Sequence, residues 1–424
     1  MAEESILSDE LVRQLIAVGQ VDLLVGLPTY NHAQTVGPVA QVVRSGLLKY
    51  FPRERAAILN ADGGSNDGTP ELVQGASISD ARNPGALRTL RTLHSISTQY
   101  PGGPSAGRAL QTITAAAELL QAKACAVVAP DSTQISAEWV DQLLTPVYRK
   151  NFDLVTPVYR RHRFEGLLVS NLLYPMTRAL YGWRMREPYP LEFAFSGNLA
   201  SSLNSNPFWG QEAGRAGPEI CITVAAMAGQ QRLHQSFLGP SGRAQRPADL
   251  VAAIRHAVGT LFWTLGENSA LWQAVQETQP LPDCHAEYDT TEAGARGNPE
   301  QLLQMFRSGV AELDSVLSSI LQPATMEELK QLAARAENEF QYSNELWVKT
   351  VYEFAAAYQH TVISRDHILQ ALVPLYRGRT FTFLTENQQA SQEEVEQHIE
   401  ALCLTFEQLK PYLIGLWERN QGGA

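Results

Sequence analysis

The sequence is poor in cysteine, the residue whose disulfide bonds stabilise small secreted domains. It has four cysteines in 424 residues, far apart and without a Cys-x-x-Cys pair. This spacing excludes a disulfide framework and a cysteine-based zinc site, and it favours a reducing compartment. The cysteines are Cys125, Cys221, Cys284 and Cys403.

Long apolar runs are also missing. No stretch reaches the roughly 18 apolar residues that a membrane-spanning helix needs. Residues 1–20 carry acidic side chains where a signal peptide would be basic. We therefore expect a cytoplasmic protein that neither crosses a membrane nor is exported.

Basic runs are absent as well. The net charge is −11 and no long Lys/Arg stretch occurs, which argues against nucleic-acid binding as the main function. Hydrophobic residues make up 44% and charged residues 18% of the chain, an ordinary globular composition. A length of 424 residues suggests two or three domains, and we take two as the working prediction.

Three apolar runs each end in a polar loop, as buried parallel strands do. They cover residues 21–26, 56–60 and 124–129, and the loops after them carry Asn31, Asp62 and Asp131. A helix is predicted to begin at Thr69 after the second run, and another to span residues 106–120 before the third. This alternation predicts a doubly wound α/β sheet whose three loops converge on one cleft.

The remainder of the chain divides into two kinds of pattern. We predict an N-terminal helical segment over residues 1–20, an α/β domain over 1–246 and a mostly helical domain over 247–424. Further predicted elements are a strand at 153–159, a helix at 164–181, a strand-like segment at 193–201, a helix at 219–228 and a strand at 232–238. In the helical part we expect a long loop at 279–299 and a short strand near Phe381.

Two loops carry the strongest chemical signal, Leu27-Pro28-Thr29-Tyr30-Asn31 and Asp62-Gly63-Gly64-Ser65-Asn66-Asp67-Gly68-Thr69. A carboxylate at a strand end can accept hydrogen bonds from a base or a ribose, and an aromatic ring can pack on a base. Taken singly, each loop is better explained as a tight turn with Asx hydrogen bonds. Together they favour a nucleotide site.

At these residues the chain resembles the GT-A glycosyltransferases, whose first two strands end in Pro-x-x-Asn and Asp-x-Gly-Ser-x-Asp-x-Thr loops. Within them it is most similar to the retaining synthases of glucosylglycerate, mannosylglycerate and glucosyl-3-phosphoglycerate. The supporting segments are Ser105–Leu110 for Gly-Lys-Gly-x-Ala-Leu, Asp131–Thr133 for Asp-x-Asp, Tyr159–Arg161 for Tyr-x-Arg, Ser196–Asn198 for Gly-Gly-Glu, Gly217–Glu219 for Gly-x-Glu/Asp and Leu238–Pro247 for the segment with a metal-binding histidine.

The resemblance implies a role for each matched residue. Donor-binding residues would be Pro28, Tyr30, Asn31, Asp62, Gly107 and Ser132. Catalytic residues would be Asp131, Glu219 and Arg243, and acceptor-binding residues would be Arg160, Arg161, Arg163, Gly197 and Asn198. The arginines suit an anion because a guanidinium pairs well with carboxylate or phosphate, although a solvated charge run would look the same.

Several positions depart from the family pattern. Ala106, Thr133, Asn198 and Arg243 replace a lysine, an aspartate, a glutamate and the histidine. The family implies a Mg²⁺ or Mn²⁺ ion, for which Asp131 is the one clear ligand left. Arg243 could neutralise a diphosphate instead, or it could be an ordinary loop cation. His234 is either a displaced ligand or a packing residue.

The expected function is transfer of a hexose from a GDP- or UDP-sugar to glycerate or 3-phosphoglycerate with retention of configuration. The departures favour a second hypothesis, a GT-A scaffold that binds a sugar nucleotide or a protein partner without turnover. A sugar-phosphate nucleotidyltransferase lacks support, because its Gly-rich signature is absent. The aromatic-rich helical part makes a homodimer plausible, and Arg377 and Arg379 are predicted to lie in a loop.

Overall fold

The structure is a computed structural model that describes residues 6–78, 93–242, 249–282, 286–290, 298–361 and 363–421. The chain divides into two compact units that interleave in sequence. The first contains residues 1–159, 189–247 and 281–286, and the second contains residues 160–188, 248–280 and 287–424. No helix among the described residues is long and apolar enough to cross a membrane.

A mixed β-sheet forms the centre of the first unit, with strand order β3-β2-β1-β4-β6-β5-β7. The strands are β1 (Leu23–Thr29), β2 (Ala56–Asp62), β3 (Leu93–Gln99), β4 (Ala124–Val127), β5 (Leu154–His162), β6 (Phe193–Ser196) and β7 (Leu233–Pro240). β1, β2, β3 and β4 are parallel, whereas β6 is antiparallel to β4 and β5. The predicted α/β class and the predicted buried strands are confirmed.

The helices of the first unit are α1 (Asp9–Val18), α2 (Val36–Tyr50), α3 (Thr69–Ile78), α4 (Ala106–Leu119), α5 (Ala137–Lys150), α7 (Gly197–Asn204), α8 (Glu212–Ala216) and α9 (Pro218–Ala228). Serine hydroxyls cap several of them, such as Ser8, which accepts from Leu11 N at 3.2 Å. Valine and leucine side chains of α2 and α5 pack against β1, β2 and β4 to form the core.

The second unit is helical, with one short strand. Its elements are α6 (Tyr174–Tyr181), α10 (Leu250–Ala253), α11 (Gly259–Glu267), α12 (Ser269–Ala274), β8 (Glu287–Asp289), α13 (Pro299–Glu312), α14 (Asp314–Ile320), α15 (Pro323–Ala334), α16 (Asn344–His360), α17 (Arg365–Glu386), α18 (Gln392–Gln408) and α19 (Lys410–Gln421). β8 pairs in parallel with the last residues of β5, from Arg160 to His162. Aromatic side chains fill the core, and the Trp347 indole donates to Asn171 O at 2.8 Å.

Some local predictions are wrong. Phe381 lies inside α17 and not in a strand, because it is buried in the aromatic core of the second unit, 5.4 Å from the ring centre of Phe340, and this packing outweighs the β propensity of the Thr/Phe run. Arg379 is therefore helical and buried, where it donates to Tyr342 O at 2.9 Å. The expected strand at 193–201 ends at Ser196, whose hydroxyl caps α7 by accepting from Leu199 N. The expected helix at 164–181 contains a π-helical turn, Val169–Leu173, before α6.

Candidate functional site

The loops after β1 and β2 are tied together at the carboxyl edge of the sheet. Asn31 N donates to Ser65 Oγ at 2.8 Å, and Asn31 Oδ1 accepts from Asn66 N at 3.1 Å. His32 N donates to Thr69 Oγ1 at 2.9 Å, and Ala33 N donates to Asp67 Oδ2 at 3.0 Å. Asn31 has a φ of 55°, a conformation that asparagine tolerates better than most residues. The two loops thus form one hydrogen-bonded surface.

Asp62 is the buried organiser of this surface, with 2% of its area exposed. Its Oδ1 accepts from the hydroxyls of Thr29 at 2.8 Å and Ser65 at 2.6 Å. Its Oδ2 accepts from Gly64 N at 2.9 Å and Ser65 N at 2.7 Å. The Thr29 hydroxyl has one proton and also lies 2.7 Å from Asn60 Oδ1, so at least three of the acceptor sites of Asp62 are used within the protein and few remain for a donor nucleotide.

Other residues of the two loops face solvent. Tyr30 is 41% exposed, and its ring presents an apolar surface at this edge. Pro28 is half-buried within β1. The Thr69 hydroxyl, with a further contribution from Ala33 N, lowers the pKa of the exposed Asp67 carboxyl, so it stays ionised and holds the loops together.

Gly107 has a packing role at the start of α4. A Cβ at this position would lie 2.2 Å from Gly214 O and 2.7 Å from Arg215 Cα, so the backbone of residues 214–215 needs a glycine there. Ser105 caps the helix by accepting from Arg108 N at 3.4 Å. This contact accounts for the glycine without a ligand, and its donor-binding role stays a prediction.

The loop after β4 carries Asp131, Ser132 and Thr133. Asp131 is half-buried, Ser132 is buried and Thr133 is exposed. The Ser132 hydroxyl donates to Glu192 Oε1 at 2.5 Å, and the Tyr159 hydroxyl donates to the other Glu192 oxygen. Glu192 is 1% exposed, so a buried carboxylate with two hydroxyl donors lies directly behind this loop.

Sequence reasoning missed Glu192. It immediately precedes β6, and because β6 is antiparallel to β4, with Val127 opposite Phe193, the residue lies at the carboxyl edge of β4. A carboxylate directly before an apolar strand was the available signal, but its partners lie 60 and 33 residues away along the chain. The strand direction decides its location, and that direction is not readable from the apolar pattern.

The loop after β7 reaches Thr133. Thr133 N donates to Gly242 O at 3.0 Å, and a Cβ on Gly242 would lie 2.3 Å from Gln134 Cγ. The segment that contains Arg243 therefore begins beside the Asp131 loop, although Arg243 itself lies outside the described residues. Glu219 is buried in the first turn of α9. Burial raises the pKa of the nearby Cys221 thiol, and the Glu219 carboxylate adds a smaller increase. Its catalytic role stays a prediction.

Two of the predicted acceptor-binding residues lie at the wrong edge. Ser196 pairs with Ala124 at the start of β4, and Gly197 N donates to Lys123 O at 3.2 Å. Gly197 and Asn198 thus lie at the amino edge of the parallel strands, opposite the edge of Asn31, Asp62 and Asp131. Their assignment to the same cleft is wrong because β6 runs in the reverse direction.

His234 is a packing residue and not a displaced metal ligand. It is the second residue of β7, whose start lies beside the start of β5, since Leu154 N donates to Arg232 O at 3.3 Å. Its ring stacks on Phe152 at 4.6 Å, and burial lowers its pKa. This position is at the amino edge, away from Asp131.

The predicted arginine cluster belongs to the second unit and is not a uniform solvated run. Arg161 pairs with Glu187 at 2.7 Å, where both side chains are largely buried. Arg163 is 7% exposed, donates to Ala390 O at 2.9 Å and lies over the ring of Phe164. Arg160 is exposed. Two of the three arginines therefore already have partners in the protein.

The residues of the Asp131 loop fit a divalent cation poorly. Asp131 supplies a carboxylate and Thr133 a neutral hydroxyl, whereas Mg²⁺ and Mn²⁺ prefer several hard, charged oxygen ligands. Across the described residues, no three His, Cys, Asp or Glu side chains gather as a metal-binding group.

Comparisons with known proteins return solved structures. No protein-family model matches the chain, and no curated protein matches it. A structure of glucosyl-3-phosphoglycerate synthase from Mycobacterium tuberculosis in complex with Mn²⁺, UDP-glucose and phosphoglyceric acid is similar at 20% identity, over 63% of this chain and 86% of that chain, with a TM-score of 0.43. A structure of that synthase with Mg²⁺ and UDP is 23% identical, over 60% and 83% of the two chains, also with a TM-score of 0.43.

Proposed function

We propose that this protein is a retaining hexosyltransferase. It transfers a sugar from a GDP- or UDP-hexose to a small anionic hydroxy acid such as glycerate or 3-phosphoglycerate. The proposal depends most on one observation: the loops after β1, β2 and β4 leave the same edge of a parallel sheet, where ligands of such sheets bind. They carry an exposed aromatic ring, Tyr30, and a half-buried carboxylate, Asp131.

The tied loops supply a preformed surface for the nucleotide. The Asn31–Ser65 and Ala33–Asp67 bonds fix the backbone before a ligand arrives, which lowers the entropic cost of binding. In this arrangement Tyr30 packs against the base, and the Asp131 loop faces the sugar end of the donor. The Tyr159–Glu192–Ser132 hydrogen bonds hold that loop from behind.

The reaction breaks the bond between the anomeric carbon and the diphosphate oxygen and forms a bond from the same carbon to the acceptor hydroxyl on the same face. The acceptor proton passes to the departing diphosphate, so no protein base is required. The protein contributes positioning and stabilisation of the leaving charge. We assign the second task to Arg243, because Gly242 is bonded to Thr133 and an arginine can bind a diphosphate with two parallel hydrogen bonds.

Among the three arginines, Arg160 is the candidate for the acceptor anion. Arg161 is paired with Glu187 and Arg163 donates to a carbonyl, so neither is as readily available. Replacing Arg160 by alanine should raise the KM for the acceptor well above that for the donor. Arg335→Ala removes another exposed arginine of the second unit and serves as the control. Equal effects of the two substitutions would remove Arg160 from the acceptor site.

The activity test uses the full chain with UDP-glucose, GDP-glucose or GDP-mannose and with D-glycerate or 3-phosphoglycerate. Release of nucleoside diphosphate that depends on the acceptor, with an α-linked product by proton NMR, would support the proposal. A β-linked product would exclude retention. Absence of product with every pair, in protein that still binds a donor, would exclude this donor and acceptor class.

The second hypothesis is a scaffold that binds the sugar nucleotide without turnover. The replacement of acidic and imidazole residues by Thr133 and Arg243 favours it. Donor binding measured by calorimetry, without acceptor-dependent transfer or donor hydrolysis in the presence or absence of EDTA, is the result expected for a scaffold. A homodimer and a domain boundary near residue 247 also stay proposals, which light scattering and limited proteolysis can test.

A further inference from the structure

The backbone of Tyr30, whose ring is exposed at the carboxyl edge, is held by a histidine two residues later. Tyr30 N donates to Nδ1 of the His32 imidazole at 3.1 Å. The residues on either side of His32 are held differently, since Asn31 N and Ala33 N both donate to side chains of the loop after β2. An ionisable ring therefore fixes the residue that presents the exposed aromatic surface.

His32 is itself anchored between the two loops and helix α2. Its backbone N donates to Thr69 Oγ1 at 2.9 Å, and its backbone O accepts from Val36 N at 2.9 Å at the start of α2. The residue is half-buried. Because its backbone is held at both the N–H and the carbonyl, the imidazole can in turn fix the residue that bonds to it.

The bond from Tyr30 requires one protonation state of the ring. A backbone N–H can only donate, so Nδ1 must present a lone pair, and the neutral imidazole then carries its proton on Nε2. A protonated imidazole has an N–H at both nitrogens, so Nδ1 would face the Tyr30 N–H as a second donor. The bond therefore exists only with neutral His32, and histidine ordinarily changes charge between about pH 5 and 8.

The other charged groups on the segments packed against His32 are carboxylates. Within the described residues they are Asp62, Asp67 and Glu71. Residues 30–43 and 63–78 contain no Lys or Arg. Aspartate and glutamate ordinarily titrate near pH 4, and the hydrogen bond from the Thr69 hydroxyl lowers the pKa of Asp67 further. A change in this loop between about pH 5 and 8 therefore points to the imidazole.

We propose that His32 is a positioning residue of the nucleotide site. In its neutral form it holds the Tyr30 backbone, and with it the ring on which the donor base packs. On protonation the bond is lost and the donor binds less tightly. The inference rests on the proposed function, which assigns Tyr30 to the base, and it adds a pH dependence that the transfer chemistry does not require.

The first test needs no ligand. The ring nitrogens of His32 are observed by NMR in the full chain labelled with ¹⁵N-histidine, and His32→Asn assigns the signal. At about pH 7.5 we expect a proton on Nε2 and none on Nδ1. A proton on Nδ1 at that pH would overturn the inference, whatever the protein binds.

The second test measures donor affinity by calorimetry. UDP-glucose and GDP-mannose are titrated into the full chain at about pH 7.5 and about pH 5.5, on the two sides of the ordinary histidine transition. Both donors are suitable, because each of their phosphates has a single acidic proton and stays ionised over this range. We expect the affinity of the wild type to fall roughly three- to tenfold at the lower pH, which is what one hydrogen bond contributes.

Two substitutions of His32 separate the hydrogen bond from the titration of the ring. In His32→Asn the amide oxygen is attached at the same point of the side chain as Nδ1 and can accept the same N–H, but it does not titrate. This variant should restore most of the donor affinity and should not show the loss at lower pH. His32→Leu has no acceptor and should bind roughly three- to tenfold more weakly at both pH values.

His94→Asn is the matched control, because it replaces the second residue of β3, at the amino edge of the parallel strands. It should keep the pH profile of the wild type. An equal loss of affinity in the wild type and His32→Asn between the two pH values would overturn the inference and leave the proposed function standing. If the wild type binds neither donor at either pH, the proposed function fails and this inference fails with it.

Discussion

Replacing Asp62 by alanine separates its two candidate roles, a ligand of the donor nucleotide and an organiser of the loop. The substitution leaves three donors without their acceptor: Gly64 N, Ser65 N and the Ser65 hydroxyl. The Thr29 hydroxyl is less affected, because it also lies 2.7 Å from Asn60 Oδ1.

The magnitude follows from these three bonds. Each donor left unsatisfied in this half-buried loop costs about 1 to 1.5 kcal/mol, so the first unit should lose roughly 3 to 4.5 kcal/mol of unfolding free energy. For a domain of this size, that loss lowers Tm by about 6 to 18 °C. The amides of residues 64 and 65 should also exchange with deuterium much faster, because they lose their acceptor.

Thermal unfolding and amide exchange of the full chain provide the assay. Asp67→Ala, which removes an exposed carboxylate from the same loop, is the control and should have the smaller effect on Tm. If Asp62→Ala keeps the Tm and the exchange of the wild type but no longer binds a sugar nucleotide, the structural argument fails and Asp62 is a direct ligand.

Three further predictions concern the site and the second unit. Tyr159→Phe removes one of the two hydroxyl donors to the buried Glu192. It should lower kcat about tenfold, with a smaller change in the KM for the donor. A kcat equal to that of the wild type would show that these bonds do not hold the Asp131 loop. Transfer activity should survive EDTA. It should be lost in Arg243→Ala but kept in the control Arg53→Ala, which replaces an exposed arginine. A requirement for Mn²⁺ or Mg²⁺ together with full activity of Arg243→Ala would contradict this prediction. Hydrogen bonding to Arg178 lowers the pKa of Glu400 below its ordinary 4.5, so the stabilising pair is present above that pH and is lost as pH falls through the folded value. As pH falls from 7, the wild type should therefore lose more unfolding free energy than Glu400→Gln, each protein being compared with its own stability at pH 7. Identical acid profiles would exclude this pair as a source of pH dependence.

The sequence predicted those parts of the fold that depend on local pattern. Continuous apolar runs ending in proline, glycine or aspartate identify β1, β2 and β4, because such strands are buried on both faces. The Thr69-Pro70 pair likewise identifies the start of α3. These features need no knowledge of which segments meet in space.

The site predictions that failed depend on strand direction and on contacts between residues far apart in sequence. Gly197 and Asn198 matched a motif, but the reversal of β6 puts them at the amino edge and puts Glu192 at the carboxyl edge. Asp62 matched a ligand motif that is also a loop-closing motif, and hydrogen-bond geometry is needed to see its four contacts. Apolar periodicity contains neither kind of information.

The interleaving of the two units affects how the chain is made. Arg178 is fully buried, and its acidic partners Glu400 and Glu407 lie on α18, 222 and 229 residues later. At a synthesis rate of about 5 to 20 residues per second, Glu400 is synthesised roughly 10 to 45 s after Arg178. During that time the Arg178 guanidinium, which is buried in the folded protein, and the aromatic face of α6 are exposed on the growing chain. A chain cut at residue 247 would keep them exposed permanently, so shortened forms of this protein need residues 160–188 and α18 to be kept or removed together.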